Sequence, residues 1–327
     1  MDDHAKLAAY SHEELRQELR TREATPPSPD GSPAAKVLGM KTARPLAEFD
    51  SKTLVAVLRE KQKLVYGTDD RVEIKDAPPQ GRADADSVVA LFKAAGVVDM
   101  GNGKSQVRTK LFVTSYELCA SEPFGQQPCG AYCSGFLVAP DVVATAGHCA
   151  RPEEFAVADI RFIFGFRVDE DGNVPTVFPN SEIYRGVELI DYRYTAAGTD
   201  WALVRLDRPV PNHPVVAIRR DGRIPDHEAL HVIGHPCGLP AKYADKAQVR
   251  TNANPAFFLA NLDTYGGNSG SPVFNSHDHT VEGILVRGDN DFVSQGHCNV
   301  SNVCPAAGCS GESVVRTTEF AGLIPLA

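Results

Sequence analysis

No stretch of this chain approaches the roughly 18 consecutive apolar residues that cross a bilayer as a helix, so the sequence predicts no membrane span. Positive charge is in deficit: 33 Lys and Arg stand against 42 Asp and Glu, a formal charge of −9. No basic stripe awaits a phosphate backbone, which argues against a nucleic-acid partner. No repeat of fixed period is visible, which argues against solenoid and propeller arrays. The opening, "MDDHAKLAAYSHEELRQELR", lacks both the basic start and the apolar stretch of roughly 7–15 residues that mark an export signal. The cysteines lack a CxxC pair, the commonest signature of a structural zinc site.

What remains is a chain of 327 residues with 43% hydrophobic and 23% charged residues, enough to bury a substantial core. Its eight cysteines are clustered: Cys119, Cys129, Cys133 and Cys149, then Cys298, Cys304 and Cys309, with Cys237 alone between. An even, clustered set fits disulfides and an oxidising compartment, so a secreted or periplasmic protein is expected, with a cytoplasmic, thiol-bearing one as the alternative. Cys119 and Cys129 bracket a turn-rich stretch that suits a local bridge. His297, Cys298, Cys304 and Cys309 could be read as a zinc cluster, but disulfides account for these thiols more simply; no metal and no cofactor are expected.

Residues 11–23 read as a polar helix opened by Ser11 with Glu14 three places on, a capping-box pattern. "TPPSPDGSP", residues 25–33, forbids continued helix and marks a linker. A second helical pattern runs over residues 51–63. Residues 1–63 are therefore expected to form a partly helical leader or propeptide, or a surface for regulatory contact. From residue 64 the texture changes to short β-type runs, among them "RVEI", "SVVALF", "KLFVTSY", "SGFLVAP", "RFIFGF", "WALVRL", "HVIGH" and "VEGILVRG", punctuated by Gly, Pro, Asn and Asp. Such a pattern predicts an all-β sandwich or barrel. Residues 275–280 read as a polar turn between two strands, with His277 and His279 expected at the solvated surface.

Three segments carry residues that could do chemistry together. "TAGHC" ends an apolar run with His148; "TDWALVRL" places Asp200 at the mouth of an apolar strand; "GGNSGSPVF" holds Ser269 in a glycine-rich turn. A serine hydroxyl becomes a nucleophile when an imidazole can take its proton, and that imidazole needs a carboxylate to fix its tautomer. The glycines allow backbone N–H groups to turn inward as an oxyanion hole. Asp191 is a competing carboxylate without the apolar continuation, and His235, beside a proline, suits a structural role.

"SGFLVAPDVVATAGHC", "TDWALVRL" and "GGNSGSPVF", in that order, resemble the signature segments of the chymotrypsin-like serine proteases. "GTDDR" at residues 67–71 and Asn268 before the serine are similar to the bacterial glutamyl-endopeptidase branch. The resemblance implies two antiparallel β-barrels over residues 64–327, with the boundary near residues 210–228, and a peptide or protein substrate. It implies His148 as general base, Asp200 as its orienting carboxylate, Ser269 as nucleophile, the N–H groups of Gly267 and Ser269 as oxyanion hole, and a Cys133–Cys149 disulfide. It also implies that the leader is removed between about residues 61 and 65.

For the residue before the scissile bond the family positions conflict. Asp263 matches the carboxylate that selects Lys and Arg, whereas Thr264 is shared with glutamyl endopeptidases. Those enzymes place a histidine where Leu285 stands, and Arg287, on the pocket segment formed by Val286, Arg287 and Gly288, could replace its positive charge. Tyr265 replaces the cysteine usual beside Asp263. Cleavage after Lys or Arg is the expectation, with Glu or Asp specificity and a catalytically silent, protease-like binding protein as the alternatives.

Overall fold

The computed structural model describes residues 18, 46, 49–50, 53, 65–66, 69–154, 156–195, 198–287, 291–304 and 311–325, without the side chains of residues 65, 66, 287 and 304. The chain divides into two compact units, residues 1–61 with 195–198, and residues 62–194 with 199–327. The helices expected over 11–23 and 51–63, the linker at 25–33 and the processing region at 61–65 lie largely outside the described residues. Of the first unit, Asp50 accepts the Thr53 N–H at 2.8 Å.

The second unit is built mainly from antiparallel strands, with one short parallel pair, Val65–Tyr66 beside Val303–Cys304. Six of them, β1 (Val88–Lys93), β2 (Cys133–Ala139), β3 (Val142–Thr145), β4 (Ile160–Phe164), β5 (Ile183–Tyr194) and β6 (Asp200–Leu206), form a closed barrel in the order β4-β5-β6-β3-β2-β1. Their residues are those that favour a pleated, buried surface: Val, Ile and Phe crowd β1, β3 and β4. Pro140 and Asp141 make the two-residue connection from β2 to β3, where Ala139 pairs with Val142. Leu137, Val143, Ala144, Phe162, Leu203 and Val204 are at most 1% exposed. Each such aliphatic or aromatic side chain contributes roughly 1.5–3 kcal/mol by leaving water.

After residues 207–228 come β7 (Ala229–Gly234), β8 (Lys242–Thr251), β9 (Phe257–Ala260), β10 (Pro272–Asn275), β11 (Val281–Arg287) and β12 (Glu312–Arg316). They lie in a seven-stranded sheet ordered β7-β10-β11-β12-β9-β8, with the short strand Val72–Glu73 outermost. Because β7 also pairs with β8, the sheet closes into a second barrel and Val72–Glu73 is an appendage on its wall. Leu230, Val232, Val249, Phe258, Leu262 and Leu285 fill one cluster inside it. The expected all-β, two-barrel architecture is the one observed.

Some local expectations are corrected. "KLFVTSY" is not one strand: Lys110–Leu111 is extended, and Phe112–Ser115 is a single helical turn that buries Phe112. The long β5 carries no clean apolar alternation, because its pairing with β6 shifts register between Gly186 and Glu188 and again between Leu189 and Asp191; Glu188 also pairs with Arg205 on β6 at 2.7 Å. Cys119 does not bridge to Cys129. It pairs with Cys298, because Cys119 N–H donates to the Asn299 carbonyl at 2.9 Å and Asn299 N–H to the Glu117 carbonyl, laying the two segments side by side. Cys129 and Cys237 are buried free thiols. The expected turn at 275–280 is present, with Asn275 N–H bonded to the Thr280 carbonyl at 2.9 Å.

Candidate active site

Strand β3 ends in a single turn of 3-10 helix, Gly147–Cys149, which lifts His148 out of the first barrel wall. The Cys133–Cys149 disulfide ties that turn to the start of β2. Asp200 is the first residue of β6, and the register that sets Ala202 opposite Thr145 brings Asp200 beside the turn. Both its oxygens face His148: Oδ1 accepts the backbone N–H at 3.0 Å, and Oδ2 lies 2.9 Å from ring Nδ1. Asp200 is fully buried while the His148 side chain is 26% exposed, so the carboxylate is out of water and the ring edge is reachable. That pairing selects the tautomer with a proton on Nδ1, leaving Nε2 as an acceptor. Asp191 lies elsewhere, 3.7 Å from Arg193.

Ser269 sits on the loop before β10, in a turn whose shape glycine dictates. Asn268 N–H donates to the Tyr265 carbonyl at 3.0 Å, and Gly267 at the third position of this turn has φ +85°. A type II turn needs such a residue there. A Cβ on Gly267 would also stand 2.5 Å from the His235 carbonyl oxygen. The Gly266 carbonyl accepts the N–H of Cys237. Because a trans peptide points its C=O and N–H in opposite directions, the Gly267 N–H faces away from Cys237.

The loop is fixed from the other barrel by Ser134 on β2, a residue that sequence reasoning missed. Its N–H donates to the Ser269 carbonyl at 2.8 Å and its hydroxyl to the Gly267 carbonyl at 2.8 Å, while its oxygen accepts the His235 N–H at 2.9 Å. Gly270 is needed for this approach: a Cβ there would fall 2.0 Å from the Ser134 carbonyl oxygen. Nothing local marks Ser134, since these three partners lie more than a hundred residues away in sequence. His235 plays the structural part expected of it. It is 1% exposed, its Nδ1 is 3.1 Å from the Leu239 carbonyl, and burial pushes its pKa down to about 4, so it stays neutral.

Asp263 is 4% exposed, and its Oδ2 accepts the Asp70 N–H at 3.1 Å. Burial, and then the neighbouring Asp263, push the Asp70 carboxyl up to about 8. Asp70 thus lies against Asp263, and Arg71, paired to Asp69 at 2.6 Å, lies 3.7 Å over the Tyr265 ring. Tyr265, two residues after Asp263, is fully buried beneath this cation. Thr264 and Val286 are fully buried, and Thr264 Oγ1 has no hydrogen-bond partner. Leu285 belongs to the second barrel's core. The Arg287 backbone ends β11, while its side chain and Gly288 lie outside what is described. Cys298 is engaged with Cys119 and is not a free thiolate ligand. A cavity of about 920 Å³ lies apart from His148 and Ser269 and is lined by Arg108, Tyr116, Cys129 and Cys237 among others.

The chain is similar to known proteases. Residues 133–284 match the model of the trypsin-like peptidase domain, a span that contains His148, Asp200 and Ser269. A protein named trypsin from Saccharopolyspora erythraea is 31% identical over 138 residues, which cover 40% of this chain and 56% of that protein. Among solved structures, the VesB protease of Vibrio cholerae is 17% identical with a TM-score of 0.47, over 80% of this chain and 67% of its own. A Glu endopeptidase is 15% identical with a TM-score of 0.45, over 80% of this chain and 98% of its own.

Proposed function

We propose that the protein is a serine endopeptidase. The observation that carries the reading is the two-point grip of buried Asp200 on His148, which prepares Nε2 to accept a proton, on the same trypsin-like span that holds Ser269. In this reading Ser269 Oγ attacks the peptide carbonyl as His148 Nε2 takes its proton. The tetrahedral oxyanion is held by the N–H groups of Gly267 and Ser269. His148 then protonates the leaving amine, and water hydrolyses the acyl-enzyme by the same route. The Ser134 clamp supports this, because its bonds to the carbonyls of Gly267 and Ser269 hold the loop that carries the two N–H groups. Turnover of an unfolded protein substrate by the wild type, lost in Ser269→Ala of unchanged circular dichroism, tests it; equal turnover by both would end it.

For specificity, cleavage after Lys or Arg rests on the Asp70–Asp263 pair. The Asp70 carboxyl is pushed up to about 8 by burial and then by Asp263, and a carboxylate at Asp263 attracts a substrate cation and repels an acidic side chain. The unpartnered Thr264 hydroxyl favours the second reading, in which it and Arg287 take a substrate carboxylate. A peptide library separates the two: cuts after Lys or Arg that vanish in Asp263→Ser carry the first, cuts after Glu the second. Residues 1–63 are read as a leader preceding the protease, and the two disulfides support a secreted or periplasmic setting. No helix among the described residues is long and apolar enough to cross a membrane.

A further inference from the structure

A second group of chemically capable side chains lies at the end of β10 that is remote from Ser269. Asp84, near the end of the helix α1 (Pro79–Ala85), reaches the turn at residues 275–280 and strand β7. Its Oδ2 is 3.1 Å from His231 Nε2 and 2.6 Å from His279 Nδ1, and the three ligand atoms lie within 4.8 Å of one another. His279 was expected to be a solvated turn residue. Instead its ring is turned inward, its side chain 30% exposed, and it completes this cluster.

We propose that Asp84, His231 and His279 form a zinc-binding site that ties α1, β7 and the β10–β11 turn together. Two imidazoles and one carboxylate match the donor set by which proteins hold zinc with a fourth, water-filled position. The partly exposed His279 edge gives that position access to solvent. Tetrahedral zinc, with bonds of about 2.0–2.1 Å, separates its ligands by about 3.3 Å, so the two short edges open by less than about 1 Å to admit it. Calcium or magnesium would need about six oxygen ligands, and one carboxylate among two rings does not provide them.

The surroundings are arranged as an outer shell. His231 is 1% exposed, its Nδ1 lies 3.1 Å from Ser276 Oγ, and its ring stacks on Phe274 at 4.9 Å with only 4° between the planes. An Nδ1–H donated to that hydroxyl leaves Nε2 free for a metal. Gln80 Nε2 donates to the other oxygen of Asp84 at 3.3 Å. The backbone supplies an independent observation. His279 has φ +60°, a left-handed conformation that glycine or asparagine adopts with less strain, in a turn already closed by His279 N–H bonding the Asn275 carbonyl at 2.9 Å. A histidine held there places Nδ1 on Asp84, which the easier residues would not do.

The test uses the full chain, stripped with a chelator and titrated with zinc chloride alone, reading bound zinc per chain, affinity and melting temperature. The wild type and His148→Ala are expected to bind one zinc with a raised melting temperature. His279→Asn, which suits the left-handed backbone, should weaken binding by more than about 100-fold, and Ser276→Ala by roughly 10–100-fold, the cost of losing an outer-shell partner. Binding unchanged in His279→Asn, binding lost in His148→Ala, or no stoichiometric zinc on the wild type would overturn the proposal. None of these readouts depends on peptide hydrolysis, so the site can fail while the protease reading stands, and the reverse.

Discussion

Replacing Asp200 with Asn changes one atom in a fully buried group whose two oxygens are both committed. Oδ1 accepts the His148 backbone N–H at 3.0 Å and Oδ2 faces ring Nδ1 at 2.9 Å. An amide NH2 cannot replace the oxygen facing the backbone N–H without setting two donors against each other, so it turns toward the ring. Nδ1 must then accept, which moves the imidazole proton to Nε2, the atom that takes the Ser269 proton in the proposed mechanism. The shape of the side chain is kept, so the fold should survive while the base is in the wrong tautomer. The expected loss in kcat is about 10⁴-fold, the cost of holding a triad imidazole in the wrong tautomer, or about 5.4 kcal/mol at about 1.36 kcal/mol per tenfold. The assay is kcat and KM on an ester or peptide substrate, with circular dichroism as the folding control and Asp191→Asn as the neutral comparison. A loss below about tenfold in a folded Asp200→Asn protein would refute the reasoning.

Three further outcomes follow from the geometry. Gly267→Ala should lower kcat by on the order of 10²–10³, because its Cβ would meet the His235 carbonyl and turn the peptide N–H of residue 267 away; unchanged kcat would remove Gly267 from the oxyanion hole. Asp70, raised to about 8, binds its proton in the folded state across a range where the unfolded chain has released it, so this group makes stability fall as pH rises from about 4 to about 8. Melting temperature in Asp70→Asn should therefore decline less over that window than in the wild type, and parallel curves would contradict the raised Asp70 value. The Cys119–Cys298 bridge closes a loop of sequence separation 179, so the double Ala variant should lose up to about 5 kcal/mol in urea unfolding on the chain-entropy account, whereas no loss would show that the bridge constrains little.

The β-runs and the three candidate site segments were legible in the sequence because each is a local pattern: an apolar strand, a turn and one reactive residue. His148 and Asp200 meet because β3 and β6 are neighbours, which strand order alone could suggest. Ser134 was not legible, since it lies in a strand whose pattern reports only burial and its hydroxyl acts on the other barrel. The pairing of Cys119 with Cys298 depends on a backbone bridge between Leu118 and Asn299, invisible to spacing rules that favoured nearby Cys129. Strand β5 left no strand pattern in the sequence because two register shifts break its two-residue period. His279 looked like a surface residue because a polar turn says nothing of the Asp84 carboxylate that packs beneath it.

The central claim is that Ser269 is activated by His148, and covalent labelling reads it directly. A fluorophosphonate should modify the protein once, at Ser269 by peptide mass spectrometry, and the label should disappear in His148→Ala with the fold intact. Labelling that falls elsewhere, or that proceeds equally without His148, would contradict the account.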